Sequence, residues 1–161
     1  MQFPANKDTL LVSQKSNIGF AGKIKDLDSF NEFMELASSF SDTENIELLA
    51  DIDLKGATIK PIESFSATLD GKGHRLYNFV IESGSTLAGF ILENKGTVKN
   101  LIIGSAQEEA WDKTSTIKFA TTDIQASAAG FVAVNSGKIQ NVKNFASVDF
   151  NAKAAADAAV G

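Results

Sequence analysis

Asp51 and Asp53 stand two residues apart in Asp51-Ile52-Asp53-Leu54, so a strand would present both carboxylates on one face. Asp70 follows at the head of Asp70-Gly71-Lys72-Gly73-His74. Three carboxylates begin a calcium site, but that ion takes about six to eight oxygens and the neighbourhood suggests no others. The aspartates are therefore assigned to strand-end and turn capping, and no metal or cofactor is expected. His74 is the single histidine, the residue type most used as a general base. Its neighbours Gly73 and Arg75 offer no nucleophile and no orienting carboxylate, so Asp70, Gly71, Gly73 and His74 are read as a structural turn.

Three asparagines share a frame of aliphatic-x-Asn-apolar: Leu76-Tyr77-Asn78-Phe79, Val98-Lys99-Asn100-Leu101 and Ile139-Gln140-Asn141-Val142. Side-chain amides repeated this way can bond one to the next along a stack of strands, so Asn78, Asn100 and Asn141 are expected to form one inward ladder. A polar ligand groove built from the same row is the competing reading. Carbohydrate-cleaving chemistry needs clustered carboxylates, or a metal with a basic residue. The outward candidates Lys99, Lys118, Gln140 and Asp149 mix types and form no such cluster, and nothing matches a Ser-His-Asp arrangement. No catalytic residue is assigned. Trp111, the only tryptophan, lies in the acidic stretch Gln107-Glu108-Glu109-Ala110-Trp111-Asp112-Lys113. An amphipathic aromatic on an inserted loop is suited to a sugar or protein contact, so Trp111 is the candidate ligand-binding residue; packing back on the flank is the alternative.

The elements that must position these residues are written as repeats. The segment from Ala88-Gly89-Phe90 to Asn94-Lys95-Gly96-Thr97-Val98-Lys99-Asn100 returns as Ala129-Gly130-Phe131 to Asn135-Ser136-Gly137-Lys138-Ile139-Gln140-Asn141. Thr116-Ile117-Lys118-Phe119 likewise returns as Ser147-Val148-Asp149-Phe150. Recurrence of a supersecondary unit is the mark of a stacked architecture and argues for a surface more than for an enzyme. Gly96 and Gly137, each two residues after an asparagine, are assigned to tight turns with positive φ. Ahead of the repeats comes one helix. Asp28 or Ser29 is its expected N-cap, with Glu32 closing a capping box, and Phe30, Phe33, Met34, Ala37 and Phe40 form its apolar stripe. Short strands are expected over Thr9 to Ser13, Ile18 to Ile24, Ile46 to Ala50, Phe65 to Leu69 and Arg75 to Ile81.

With 161 residues the chain has the length of one domain. A net charge of −5 with no run of basic residues argues against nucleic acid as a partner. The absence of cysteine removes disulfides and thiolate chemistry, and no apolar stretch approaches the length of a membrane helix.

Asp51-Ile52-Asp53-Leu54, the run Phe65-Ser66-Ala67-Thr68-Leu69-Asp70-Gly71-Lys72-Gly73-His74-Arg75-Leu76-Tyr77-Asn78-Phe79 and the two Gly-Phe…Asn-x-Gly-x-aliphatic-x-Asn units together resemble the GLUG-motif repeat proteins. These are bacterial surface and secreted proteins, common in Bacteroidetes. The resemblance spans residues 28–161, and the Asp-Gly-x-Gly-His turn is its most specific part. It implies a right-handed parallel β-helix, export, and adhesion or glycan contact, with no catalytic residues to carry over. Two positions depart from the pattern: Ala67 stands where the family has Gly, and Ile91 follows Phe90 in place of a second Gly.

The sequence therefore predicts an all-β protein, a right-handed parallel β-helix solenoid of about four to five coils with a short N-terminal capping helix. Residues 1–45 would hold the N-terminal strands and the helix, and residues 46–161 the repeats. The expected role is a non-catalytic, extracellular or cell-surface module that displays loops to a glycan or a surface protein, its signal sequence removed. Part of a carbohydrate-active β-helix enzyme and a bare structural stalk are the alternatives. The alanine-rich stretch 152–159 is read as a loop, and self-association through the C-terminal coil is expected from an uncovered last rung.

Overall fold

The computed structural model describes residues 20–83, 87–104, 112–121, 127–128, 130–152 and 159–160. The expected strand Thr9 to Ser13, the beginning of Ile18 to Ile24, most of the stretch 152–159, and Trp111 fall outside these residues.

The helix α1 spans Leu27–Leu36 and runs into a 3-10 turn, Ala37–Ser39. Its N-cap is Asp26, two residues before Asp28 and three before Ser29. Asp26 Oδ1 accepts from the Ser29 N–H at 2.9 Å, and the Asp26 N–H donates to Ser29 Oγ at 3.1 Å. This reciprocal box satisfies two orphan donors with a carboxylate at the positive end of the helix, which Ser29 capped by Glu32 would not improve on. The apolar stripe is core as expected. Phe30 and Phe33 are fully buried, Ala37 is buried in the 3-10 turn, and Met34 and Phe40 pack against them. Phe33 is the hub, with ring centroids 6.2 Å from Phe20, 6.0 Å from Phe40 and 6.1 Å from Phe65.

Among the described residues, fifteen short strands make up most of the rest. They are β1 Lys23–Ile24, β2 Asn45–Leu48, β3 Ile52–Ile59, β4 Ile62–Phe65 and β5 Thr68–Asp70. After them come β6 Arg75–Ser83, β7 Leu87–Ala88, β8 Ile91–Asn94, β9 Thr97–Ile103 and β10 Asp112–Thr121. The last are β11 Ser127–Ala128, β12 Val132–Asn135, β13 Lys138–Asn144, β14 Ala146–Ala152 and β15 Ala159–Val160. Nine of them form one sheet in the order β1-β2-β5-β9-β6-β10-β14, with β13 added on β9 and β3 on β6. Two further sheets have three strands each, β15-β11-β7 and β12-β8-β4. The described pairings are parallel.

This corrects the expected fold. A right-handed parallel β-helix solenoid would give each coil one strand in each sheet. Instead nine strands share one mostly parallel sheet, within which β9 pairs with β5, β6 and β13. The cause lies in strands, β6 and β9 among them, that bend where a coil corner would interrupt them. Asn78 in β6 and Asn100 in β9 have φ of 62° and 53°, a left-handed step that asparagine tolerates better than other side chains. Pairing resumes past each bend: β3 meets β6 at Ile52↔Leu76 and again at Ala57↔Phe79, and β9 meets β13 on both sides of Asn100. The expected strand Phe65 to Leu69 is also divided, into the ends of β4 and β5 in different sheets.

The repeats do lie side by side. Ile91, Glu93 and Asn94 of β8 pair with Val132, Val134 and Asn135 of β12, and Val98 and Leu101 of β9 with Ile139 and Val142 of β13. Thr116 to Phe119 pair in register with Ser147 to Phe150. Parallel in-register pairing places like side chains on like, so the interior consists of apolar rows such as Ile46–Leu69–Val98 and Ile62–Ile91.

Gly96 and Gly137 are not positive-φ residues, contrary to expectation. They are glycine because backbone lies on backbone. A methyl group at Gly96 would overlap the Ala67 carbonyl oxygen, and one at Gly137 would overlap the Gly96 carbonyl oxygen. These close layers carry hydrogen bonds, Thr97 N–H to Ala67 O at 3.0 Å and Lys138 N–H to Gly96 O at 2.8 Å. Gly96→Ala is expected to lower unfolding free energy by about 3 kcal/mol, the upper range of overpacking costs, measured by urea denaturation. A change within experimental error would contradict the close-packed column.

Candidate functional site

The aspartates singled out above are brought to the corners of the sheet, where each is engaged by a different partner. Asp70 ends β5 and accepts at Oδ1 from the Lys72 N–H, 2.9 Å, and from Asn100 Nδ2, 3.2 Å. Asn100 Oδ1 in turn accepts from Asn141 Nδ2 at 3.0 Å. Asp53 repeats the arrangement: its Oδ1 accepts from the Lys55 N–H at 2.8 Å and from Asn78 Nδ2 at 3.0 Å. Lys55 and Lys72 have φ of 59° and 54°, and each is followed by a positive-φ glycine, Gly56 or Gly73.

Two asparagine rows therefore exist where one was expected. Asp70, Asn100 and Asn141 form one; Asp53 and Asn78 begin another. All three asparagines have positive φ, and each row is anchored on a carboxylate. The sequence carried a signal for this division in Asp53-Leu54-Lys55-Gly56 and Asp70-Gly71-Lys72-Gly73, two copies of one Asp-x-Lys-Gly turn. A third amide pair was not singled out by sequence. Asn94, fully buried, donates from Nδ2 to Asn135 Oδ1 at 2.8 Å, and its Oδ1 accepts from the Gly96 N–H at 3.2 Å. Its recurrence as Asn94 and Asn135 in the repeat was the available signal.

His74 and Asp51 are brought together, supplying the carboxylate that the local sequence lacked. His74 Nδ1 lies 3.1 Å from Asp51 Oδ1, which also accepts from the Arg75 N–H at 3.2 Å. The Arg75 guanidinium Nε is 3.7 Å from Asp51 Oδ2. Between them, the His74 N–H and the Gly71 carbonyl close the turn at 2.8 Å. The pair ties the start of β6 to the residue preceding β3. Asp51 and Asp53 do not share a ligand: one faces His74 and Arg75, the other Lys55 and Asn78. Among the described residues no group of three or more His, Cys, Asp or Glu side chains is placed to hold a metal ion.

The outward residues form rows of mixed sign. Lys23, Glu47, Asp70, Lys99 and Gln140 are consecutive partners across β1, β2, β5, β9 and β13. Lys23 and Lys72 both pair with Glu47, the latter at 3.0 Å. Glu82, Lys118 and Asp149 form a similar row across β6, β10 and β14. Glu47 and Asp70 stand opposite one another as like charges, and the Lys72 ammonium bridges them, 3.0 Å from Glu47 and 3.8 Å from Asp70.

Carboxyl groups in these rows are held below their ordinary range. For Asp70, burial pushes the other way but is outweighed by the Lys72 N–H, the Asn100 amide and the charges of Lys72 and Lys99. For Asp53 the cause is the Lys55 N–H and then the Asn78 amide, and for Glu47 the bonds from Lys23 and Lys72.

Comparison with known protein families, characterised proteins and solved structures finds no match to this chain. No helix among the described residues is long and apolar enough to cross a membrane.

Two outcomes are expected. Carboxyls whose folded-state pKa lies below the unfolded value contribute stability that is complete above the unfolded range and disappears as pH falls through the folded value. The melting temperature should hold near neutrality and fall below about pH 4, and the deficit of Asp70→Asn relative to the parent should be largest at neutral pH and narrow in acid. A deficit that grows in acid would contradict the assignment. Second, Asn100→Leu loses both the left-handed preference and the row, and should cost about 2–4 kcal/mol. Asn141→Leu, at the exposed end, should cost less in the same urea titration; equal costs would argue against a directional row.

Proposed function

We propose that this chain is a non-catalytic repeat module that presents its loops, Trp111 among them, to a glycan or protein partner outside the cell. The observation that carries the reading is how the polar groups are used. Asp53, Asp70, Asn78, Asn94 and Asn100 direct their side chains at the backbone and at one another, and the outward charges compensate in rows. A sheet built this way leaves recognition to the segments between strands, where sequence can vary without disturbing register. The resemblance to GLUG-motif repeat proteins supports export and surface contact.

Binding of the purified chain to an array of host and dietary polysaccharides and glycoproteins tests this, with Trp111→Ala alongside. Saturable binding weakened at least 10-fold by the substitution is expected. Hydrolysis or elimination products from any polysaccharide on prolonged incubation would overturn the non-catalytic reading, and absence of binding to every glycan and glycoprotein would overturn the recognition reading.

A further inference from the structure

A groove of about 780 Å³ runs between α1 and the corner where β3 gives way to β4. Ligand clefts usually enclose roughly 300–1,000 Å³. One wall is helical: Asn31, Met34 and Glu35 lie at i, i+3 and i+4 and so share a face of α1. The other wall is the corner Lys60-Pro61-Ile62-Glu63, where the proline ring fixes φ and keeps the turn in one shape. Leu92 of β8 and Glu82 of β6 complete the lining. Met34, Pro61, Ile62 and Leu92 are at least half-buried and give it an apolar floor, while Glu35, Glu63 and Glu82 are exposed.

The charge of the groove is unbalanced. Three carboxylates line it against one ammonium, that of Lys60, and among the described residues none of these four is in an ion pair. Glu35 is the most telling. It lies in the last turn of α1, which holds no basic residue, so its charge adds to the negative pole of the helix. Between Lys25 and Lys55 the chain carries nine carboxylates and no basic side chain, so the helix has no cation of its own to set against Glu35. A carboxylate kept where it opposes folding marks a position used for something else.

The three carboxylates come from α1, β4 and β6, and no three acidic side chains among the described residues are placed to hold one metal ion. Charges spread along an apolar floor suit an elongated ligand that carries more than one cation on aliphatic stems. Lysine and arginine side chains have that form, a stem for the floor and a charged head for the rim.

We infer that this groove docks an extended basic segment of a partner protein. Its lysine or arginine heads meet Glu35 and Glu63, and its apolar side chains lie on Met34, Ile62 and Leu92. None of the residues that carry the loop-display reading is used here, so either can fail without the other.

Fluorescence anisotropy of the full chain tests the inference, with a labelled hexapeptide of alternating lysine and valine as the probe. Saturable binding is expected, weakened roughly 10-fold or more when the probe lysines are acetylated and also weakened when serine replaces its valines. Glu35→Gln and Glu63→Gln should each weaken binding roughly 3- to 5-fold, the yield of one exposed charge pair. Asp42→Asn removes an equal charge from an exposed residue outside the groove and should leave binding unchanged. Glu35→Gln should also raise the melting temperature by about 1–3 °C, because the charge opposing the helix is gone. The inference is overturned by absence of binding up to millimolar probe, by binding indifferent to acetylation or to serine, by an equal loss with Asp42→Asn, or by a Glu35→Gln protein that melts lower than the parent.

Discussion

A left-handed residue in the middle of a strand needs a reason to stay there, and in this protein the reason is the side chain of the same residue. Asn78, Asn100 and Asn141 hold φ between 53° and 62°, and from that conformation each donates its amide to the residue one strand away. Backbone geometry and side-chain bonding thus fix one another: an alanine would resist the bend, and a glycine would leave the bend unsupported. The first donor in each row ends on an aspartate, Asp53 or Asp70, whose other bond holds a positive-φ lysine. A charged acceptor makes the first bond of the row its strongest.

Everything else in the fold accommodates those bends. Because β6 and β9 pass through them with pairing intact on both sides, strands that would belong to separate faces join one sheet of nine. In-register pairing then stacks Ile on Leu on Val inside and Lys on Glu and Asp outside. The glycines at 96 and 137 let the backbone close up where the chain turns from β8 to β9 and from β12 to β13. The phenylalanines of α1 reach this interior through the Phe33–Phe65 contact, joining the helix to the same core.

Much of this was legible in the chain. The helix, its apolar stripe, the paired repeats and the importance of three asparagines all follow from period and recurrence. What was not legible depends on which strands become neighbours. Nothing in Asp51 or His74 alone announces that residues 23 positions apart will meet, so the carboxylate beside the histidine could not be foreseen. The division of Asn78 from Asn100 was written in two Asp-x-Lys-Gly turns, but a four-residue likeness is weak until register shows both aspartates in the same role. The solenoid expectation failed for a related reason. Periodicity reports that units recur; whether a strand stops or bends at a corner is decided by one dihedral angle. The positive φ assigned to Gly96 and Gly137 belongs in fact to asparagines and lysines nearby, and those glycines answer to crowding.

In this scaffold the Asp53, Asp70, Asn78, Asn94 and Asn100 side chains serve the backbone and one another, which is the ground on which the proposed surface role rests. That ground is tested most directly by a double-mutant cycle between Asp70 and Asn100, using Asp70→Ala and Asn100→Gly so that the left-handed bend survives in each variant. If the row holds the bend, unfolding free energies will show a coupling of about 1–2 kcal/mol between the two positions. Strictly additive losses would mean that the bend stands without the row, and would contradict the account.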